Sequence, residues 1–271
     1  MDKTIEDVRT FWNENPLFVG EIEEPVGSRA WFEKLDDIRM KDVFCENLSD
    51  WIVPGIQNMR MLDIGCGPGF WQRTLSARAK QYSGIDISPK SIELACRSQE
   101  IFGLQGKLAV GNAEGLSFPD ETFDYVLSEG VIHHTPDTAR CVQEIHRVLK
   151  PGGMAHVSVY YKNFLLRSGI LFRAVLFLMR IFRISLKGRG REEMCKVSSL
   201  EEFVRMYDGR DNPIGKAYTR EELKRMFGKF SRLQYVVYYV PMRAARLRLP
   251  LFIRRWASST FGLMILVKAV K

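Results

Sequence analysis

The sequence predicts an α/β protein built on an open, largely parallel β-sheet. From Arg60 onward, short apolar runs alternate with helical segments, which is the pattern of βαβ units. A glycine-rich turn at residues 65–69 separates the first apolar run from a helix that begins near Phe70. The predicted strands lie at residues 60–65, 82–86, 107–111, 123–128 and 154–161.

The first 55 residues predict two helices that flank this sheet. Apolar side chains at helical spacing run from Ile5 to Trp12 and again from Phe32 to Leu48. The sequence Pro25-Val26-Gly27 separates the two runs, because proline and glycine interrupt helices. We expect these helices to form a lid over a site or a flank of the sheet.

Capping signals place further helices between and after the strands. Ser88 supplies an N-cap and Pro89 a favourable first helical residue, and another helix begins at about Thr138. Thr219 and Glu222 form a capping box that opens a late helix. Two β-rich runs close the chain, at residues 233–240 and 263–270.

The five cysteines and the N-terminus argue against a secreted or membrane-spanning protein. The number of cysteines is odd and no C-x-x-C pair occurs, so neither a disulfide framework nor a structural zinc site is expected. The N-terminus lacks the features of a signal peptide, and no stretch of about 18 uncharged apolar residues occurs. We therefore expect a cytoplasmic protein, with membrane association as the alternative.

Charge is distributed unevenly along the chain, although the net charge is only +8. Residues 1–160 have 16 Lys and Arg against 24 Asp and Glu, whereas residues 161–271 have 24 against 8. The second part should therefore present a positive surface. It is either a solubility feature or a contact for an anionic membrane, an anionic substrate or nucleic acid.

The turn Gly65-Cys66-Gly67-Pro68-Gly69 has the composition of a ligand-binding loop. Glycines at alternate positions permit a tight turn and bring a ligand close to the backbone at a helix N-terminus. Asp86 lies 17 residues beyond Gly69, at the end of the next strand, where a carboxylate can accept both hydroxyls of a ribose. Together these features predict a nucleoside site.

Further motifs follow in order along the chain. Leu62-Asp-Ile-Gly-Cys-Gly-Pro-Gly69 is followed by Asp86, then by Gly111-Asn-Ala-Glu114, by Phe123-Asp-Tyr-Val-Leu-Ser-Glu-Gly-Val-Ile-His-His134 and by Leu149-Lys-Pro-Gly-Gly153. Over residues 60–161 this series resembles the class I S-adenosylmethionine (SAM)-dependent methyltransferase superfamily. It is similar to the branch, typified by the family called methyltransferase domain 11, that includes many small-molecule methyltransferases.

The resemblance implies a Rossmann-like seven-stranded sheet whose last strand is antiparallel, with N-terminal helices and a helical insertion before the sixth strand. At 271 residues and 46% apolar content, the chain fits one domain better than two. We expect a single methyltransferase domain over residues 1–271, composed of an N-terminal lid at 1–55, a SAM-binding core at 56–161, an insertion at 162–217, and a C-terminal helix with closing strands at 218–271.

The implied cofactor is SAM. Carried over motif by motif, the resemblance assigns cofactor binding to Asp63, Gly65, Cys66, Gly67, Gly69, Asp86, Ile87, Asn112, Ala113, Glu114, Ser128 and Glu129. The family commonly has Asp where this chain has Asn112, whose carbonyl oxygen can accept the adenine amino group instead. A nicotinamide or flavin enzyme is disfavoured, because its loop would place the third glycine one residue later to cradle a pyrophosphate.

Methyl transfer from a sulfonium requires alignment and, for some acceptors, removal of a proton. His133 and His134 follow the fourth strand, where ligands of open α/β sheets lie, and one of them is a candidate general base. The alternative is that each merely hydrogen-bonds the turn. The candidate acceptor-binding residues are Trp12, Tyr160, Tyr161 and Tyr207. No clustered metal ligands are evident, so we expect no metal.

Residues 164–187 predict a basic amphipathic helix in which Arg173, Arg180, Arg183 and Lys187 share an arc of roughly 80° at about 100° per residue. Such a helix can cover a pocket for an apolar acceptor, lie peripherally on a membrane, or pack in the core or an oligomer. Residues 243–256 repeat the mixture of arginines and apolar residues.

We expect a methyltransferase that acts on a small hydrophobic or amphiphilic acceptor and releases S-adenosylhomocysteine. The alternatives are a catalytically silent SAM-binding scaffold, at a membrane or in a complex, and an RNA methyltransferase recruited by the basic half. DNA is not an expected partner, because the place after the fourth strand reads Ser128-Glu-Gly-Val131 and lacks the Asn/Asp-Pro-Pro-aromatic run. The sequence sets no oligomeric state.

Overall fold

A computed structural model of the chain describes residues 3–182, 189–240 and 249–271. Its centre is an open sheet with the strand order β3-β2-β1-β4-β5-β8-β7, and a short strand, β6, pairs with β5. The strands are β1 Arg60–Ile64, β2 Gln81–Asp86, β3 Lys107–Val110, β4 Phe123–Glu129, β5 Leu149–Tyr161, β6 Ala217–Tyr218, β7 Arg232–Tyr238 and β8 Met264–Val270.

All described strands but one share a direction. Strand β8 is antiparallel to both of its neighbours, β5 and β7, whereas the remaining pairings are parallel. The predicted α/β class, the seven-stranded sheet and its antiparallel last strand are confirmed. The two-residue β6 was not predicted. Because strands β1, β2, β4 and β5 are parallel, their carboxyl ends meet at one edge of the sheet, where ligands of open α/β folds bind.

Ten α-helices are described around the sheet: α1 Ile5–Glu14, α2 Arg29–Ile38, α3 Phe70–Leu75, α4 Pro89–Phe102, α5 Thr138–Val148, α6 Phe164–Arg167, α7 Gly169–Ile181, α8 Leu200–Tyr207, α9 Arg220–Met226 and α10 Leu251–Phe261. A π-helical turn, Arg39–Val43, continues α2, and short 3-10 segments lie at Ile56–Asn58, Ile132–His134 and Arg191–Lys196. None of the helices in the described ranges is long and apolar enough to cross a membrane.

The predicted caps are present. The Ser88 hydroxyl accepts the backbone N–H of Ser91 at the start of α4, with Pro89 as its first residue. Thr219 and Glu222 form a reciprocal capping box at α9. These local hydrogen bonds satisfy N–H groups that have no partner within the helix, which explains why local sequence predicts them well.

Two predicted elements end earlier than the sequence suggests. The second N-terminal helix was expected to continue to Leu48, but its helical backbone stops at Val43 because Cys45 and Glu46 adopt the left-handed conformation. The last strand before the closing one, predicted to reach Val240, ends at Tyr238 because Tyr239 has a φ of +66°.

The predicted continuous helix over residues 164–187 is wrong. It is divided at Ser168 into α6 and α7, because Ser168 has an extended backbone and its hydroxyl accepts the backbone N–H of Leu171. A serine that caps the following turn competes with helix continuation. The residues Arg183 and Lys187 of the predicted arc, and residues 243–248 of the second basic segment, lie outside the described residues.

Three apolar clusters hold the elements together. One face of the sheet packs on α5 and α9 through residues such as Ile145 and Phe227, and the other packs on the N-terminal segments and α3 through residues such as Trp31. A third cluster contains Tyr160, at the end of β5, and joins it to α6, α7 and α8. The carboxyl edge of the sheet therefore lies between the N-terminal segments and the insertion.

Candidate active site

A single continuous cavity of about 780 Å³ opens at the carboxyl edge of the sheet. Its first half is formed by the ends of β1, β2 and β4 and by the loop that follows β3. Its second half lies between the N-terminal segments, the end of β5 and the insertion. The volume is within the range of about 300–1,000 Å³ that is common for small-molecule sites.

The cavity brings together most of the predicted site residues. Its wall includes the following members of the predicted set: Trp12, Gly65, Gly67, Asp86, Ile87, Asn112, Ala113, Glu129, His133, His134, Tyr160 and Tyr207. The three predicted classes, cofactor-binding, catalytic and acceptor-binding, therefore share one space.

Six predicted residues lie outside the cavity wall. Asp63 is buried outside the cavity wall and accepts the Tyr82 hydroxyl at 2.6 Å. Glu114 caps the N-terminal side of α5 by accepting the backbone N–H of Asp137 at 2.6 Å, and Tyr161 packs against the first sheet cluster. The other three are Cys66, Gly69 and Ser128, which support the turn or strand from behind.

The glycine turn and Asp86 are directly connected. The backbone N–H of Gly67 donates to Asp86 Oδ2 at 2.9 Å, and the backbone N–H of Ser88 donates to Oδ1 at 2.8 Å. Gly65 has a φ of +74°, and a Cβ there would lie 2.2 Å from the Val131 side chain. Asp86 therefore anchors the turn, and glycine is required at position 65 for close packing against the next loop.

Burial shifts the acid–base properties of the two acids in this region. Burial raises the pKa of Asp86 to about 6, although three backbone hydrogen bonds oppose the shift. Burial also raises the pKa of Asp63 to about 7, against the hydrogen bond from Tyr82. A partner that donates hydrogen bonds to Asp86 will favour its ionised form.

Asn112 has one polar bond within the loop that follows β3. Its carbonyl oxygen accepts the backbone N–H of Glu114 at 3.0 Å, which fixes the side chain at the cavity wall. An amide oxygen has two lone pairs, so one remains for a ligand amino group.

An ion pair that the sequence analysis missed lies in the cavity wall. Arg39, on the π-helical turn, pairs with Glu129 at the end of β4, and both side chains are about nine-tenths buried. The Arg39 guanidinium lies 4.5 Å from the Phe70 ring centroid, and its Nε has no described hydrogen-bond partner. Buried guanidinium groups are costly unless paired, so this pair is a defined feature of the site.

His133 is buried at the cavity wall without a described hydrogen-bond partner at either ring nitrogen. Its ring packs against Tyr160, with centroids 4.4 Å apart. Burial lowers the pKa of His133 well below its ordinary value, and the neighbouring His134 and Lys216 lower it further. The ring is therefore neutral near pH 7, and neither of its nitrogens is paired with a described group.

His134 is held at both nitrogens. Nδ1 lies 2.7 Å from the Ile214 carbonyl oxygen, and Nε2 lies 3.2 Å from Asp208 Oδ2. The Asn212 amide nitrogen also lies 3.4 Å from Nδ1, so both ring nitrogens have partners within the protein. Asp208 also accepts the Tyr160 hydroxyl. Burial raises the pKa of Asp208, but His134 and Tyr160 outweigh it, and the pKa lies below its ordinary value.

The second half of the cavity has two further polar clusters, in which only Tyr207 was predicted from the sequence. Arg191 pairs with Glu21 at 3.1 Å, and Arg189 lies 3.7 Å from the same carboxylate. The hydroxyls of Tyr207 and Tyr239 are bonded to each other. Arg189 and Arg191 lie in a basic segment, where arginines are usually solvated surface charges. Their only distinguishing sequence feature is their position next to glycines, in Gly-Arg-Gly-Arg191.

Comparison with known proteins agrees with this geometry. A family model described as a methyltransferase domain matches residues 62–157, which contain the glycine turn and β1 to β5 up to Val157. Over these residues the chain is similar to SAM-dependent methyltransferases. Among the described residues, no group of three or more His, Cys, Asp or Glu side chains could hold a metal ion.

Two curated relatives are named for quinone or quinol biosynthesis. A ubiquinone biosynthesis O-methyltransferase of Rhizobium johnstonii is 30% identical over 139 residues, which cover 49% of this chain and 56% of the relative. A 2-methyl-6-phytyl-1,4-hydroquinone methyltransferase of Synechocystis is 37% identical over 134 residues, which cover 45% and 39%. The chain thus spans about half the length, or less, of these relatives.

A solved structure extends the likeness over most of the fold. The SAM-dependent methyltransferase of Mesorhizobium loti is 17% identical, with a TM-score of 0.53, and the superposition covers 81% of this chain and 94% of the other. At this identity the comparison establishes the fold alone.

The first half of the cavity fits SAM, the cofactor that the family and the fold imply. Gly67 lies at the cavity wall with no heavy atom within 4 Å of the position of a Cβ, so a ligand can approach its backbone. Asp86 offers a carboxylate for ribose hydroxyls, and Asn112 and Ala113 form the wall expected for adenine. Arg39 and Glu129 add one group of each charge.

Proposed function

We propose that this protein transfers a methyl group from SAM to a small hydrophobic or amphiphilic acceptor. One observation carries the proposal: a single cavity joins a nucleoside-type site at Asp86 to a second space lined by aromatic and polar groups. Donor and acceptor can therefore meet without an intervening wall, which in-line transfer requires.

The donor site is assigned as follows. Asp86 accepts the ribose hydroxyls, and the loop at Asn112 and Ala113 holds the adenine. We place the methionine end beside Arg39 and Glu129, because a carboxylate and an ammonium match a guanidinium and a carboxylate. SAM supplies an activated methyl group, so the protein's task is to orient both reactants and to receive a proton where the acceptor has one.

His133 is the proposed proton acceptor. His133 lies at the cavity wall, its buried ring nitrogens have no described hydrogen-bond partner, and its lowered pKa keeps the ring neutral at physiological pH. We assign His134 a positioning role, because both of its nitrogens already have partners within the protein. It holds Asp208, and Asp208 in turn holds the hydroxyl of Tyr160 beside the acceptor.

The acceptor class follows from the second half of the cavity. Trp12, Tyr160, Tyr207 and Tyr239 offer aromatic surfaces suited to a planar ring. The relatives named for ubiquinone and phytylquinol methylation support an aromatic, apolar-tailed acceptor. Such an acceptor also fits peripheral membrane contact, one of the three alternatives for residues 164–187.

Calorimetric titration and turnover test the proposal together. The purified protein should bind SAM and S-adenosylhomocysteine, and it should methylate members of a panel of quinols, phenols and aliphatic lipids. Ordinary donor binding with no turnover across the panel would favour the alternative of a silent SAM-binding scaffold. Failure of the well-folded protein to bind either nucleoside would remove the proposal.

A further inference from the structure

Helix α7 has an apolar face that no described element covers. Phe172 and Leu176 point into the third apolar cluster, as expected for a surface helix. On the opposite side, however, Ile170 is 83% exposed and Phe177 is 62% exposed, and Leu178 and Ile181 accompany them. At about 100° per residue these four lie within one arc opposite the buried face, where a soluble helix normally has polar residues.

Helix α10 has the same property. Phe252 is 72% exposed and Trp256, one turn later, is 60% exposed on the same side. The opposite side is anchored to the body of the protein, where the Ser258 hydroxyl lies 3.6 Å from the Cys45 sulfur. Exposed tryptophan with neighbouring apolar residues is characteristic of the membrane–water interface.

The two exposed regions are joined by aromatic contacts. Phe164, an exposed residue of α6, lies 5.7 Å from Phe261 at the end of α10, and Phe261 lies 5.6 Å from Trp256. Helix α6 leads directly into α7 through Ser168. The exposed apolar side chains of α6, α7 and α10 therefore form one surface. We call this surface the apolar apron, and its residues are Phe164, Ile170, Phe177, Leu178, Ile181, Phe252 and Trp256.

The charges beside the apron are positive. Arg173 and Arg180 are exposed along one edge of α7, and Arg255 is exposed on α10. No acid occurs in the sequence between Glu144 and Glu192, or after Glu222. The adjacent segment Arg191–Lys196 contributes two acids, Glu192 and Glu193, and Lys196 and Arg210 both pair with Glu193.

We propose that the apolar apron docks on the surface of an anionic lipid bilayer. Apolar side chains between cations match the acyl boundary and the anionic head groups. A second copy of the chain fits less well, because a symmetric contact would bring the same arginines together without acids from these helices.

The apron also lies close to the acceptor half of the cavity. Phe172 of α7 contacts Phe203 of α8, whose last residue, Tyr207, lines the cavity. Arg254 of α10 lies 3.7 Å from Asp42, another lining residue. A bilayer on the apron would therefore present a lipid-like acceptor next to the space that receives it, a role that rests on the proposed function.

Vesicle flotation of the full chain tests the docking without SAM or an acceptor. Vesicles of phosphatidylcholine are compared with equimolar phosphatidylcholine and phosphatidylglycerol. We expect at least about tenfold tighter binding to the anionic vesicles. The double variant Phe177→Ser/Trp256→Ser should weaken this binding at least about tenfold, and Arg173→Gln/Arg180→Gln should largely remove the preference for anionic lipid.

Val26→Ser is the matched control, since Val26 is an exposed apolar residue outside the apron, and it should bind vesicles like the wild type. Calorimetry with SAM should give the same donor affinity for every variant, which separates loss of docking from unfolding or from failure of the donor site.

The inference is overturned if anionic vesicles are not bound or if the Phe177/Trp256 variant binds normally. A wild-type dimer that this variant dissociates would also overturn it, in favour of a second copy.

Discussion

Asp86 is the residue on which the proposed donor site depends most. We expect Asp86→Ala to weaken SAM binding about 100-fold, because two hydrogen bonds from ribose hydroxyls to a carboxylate contribute about 1.5 kcal/mol each. The substitution also removes the acceptor for the backbone N–H groups of Gly67 and Ser88, at 2.9 and 2.8 Å. The glycine turn then loses its anchor, which adds to the loss of affinity.

The measurement is isothermal titration calorimetry with SAM and S-adenosylhomocysteine at pH 8, with thermal unfolding recorded in parallel. Asp63→Asn is the matched control, since Asp63 is a buried acid of the preceding strand whose carboxylate bonds Tyr82 outside the cavity wall. An amide can still accept that hydroxyl. We therefore expect Asp63→Asn to change donor affinity by less than about tenfold.

Two results would refute this reasoning. Equal losses of affinity in Asp86→Ala and Asp63→Asn would mean that the turn responds to any change in its supporting acids. Undiminished affinity in a folded Asp86→Ala protein would mean that the ribose lies elsewhere. A lower melting temperature of Asp86→Ala does not by itself refute the reasoning, because the affinity is measured on the protein that remains folded.

Three further outcomes are expected. Donor affinity should fall as the pH falls through about 6, the pKa of Asp86, because the protonated carboxyl accepts hydrogen bonds less well. At pH 5 the Kd for SAM should be about tenfold higher than at pH 8. A calorimetric Kd that does not change with pH would contradict this. His133→Ala should lower turnover about 100-fold with unchanged SAM affinity, and His134→Ala should lower turnover less. If the wild type and His133→Ala have equal turnover and equal donor affinity, His133 is not the proton acceptor. Gly65→Ala should lower the unfolding free energy by more than about 2 kcal/mol, because it adds a clash with a neighbouring valine to left-handed strain. Gly67→Ala should lower the unfolding free energy by about 1 kcal/mol but should weaken donor binding. Chemical denaturation measures the first effect, and calorimetry measures the second.

The donor half of the site could be predicted because its signals are local. The turn at residues 65–69, the acid at the end of β2 and the cap at Ser88 each depend on neighbours within a few residues. Strand and helix signals are equally local, so all strands except β6 were predicted within five residues of their observed ends, and the starts of α1 to α5 and of α9 were indicated; α8 and α10 were not predicted. Where prediction overshot, at Leu48 and Val240, a non-glycine residue in the left-handed conformation ended the element.

The acceptor half could not be predicted in the same way because its contacts join distant parts of the chain. In the acceptor half, Glu21 meets Arg191 from a distant part of the sequence, and the same holds in the donor half for Arg39, which pairs with Glu129 across 90 residues. No periodicity or spacing encodes such pairs. The histidines were identified, but their different roles depend on the Ile214 carbonyl and Asp208, which only the folded loops bring to His134.

The excess of cations in the second part of the chain illustrates why composition alone leaves function open. Arg191 is buried at the cavity wall, where desolvation requires a carboxylate partner, and Glu21 is that partner. Arg173 and Arg180 are exposed beside apolar side chains, where no partner from the chain is needed and a lipid head group can serve. Net charge counts these groups equally. Burial separates them, so the same basic region carries two independent tests, one at the cavity and one at the membrane.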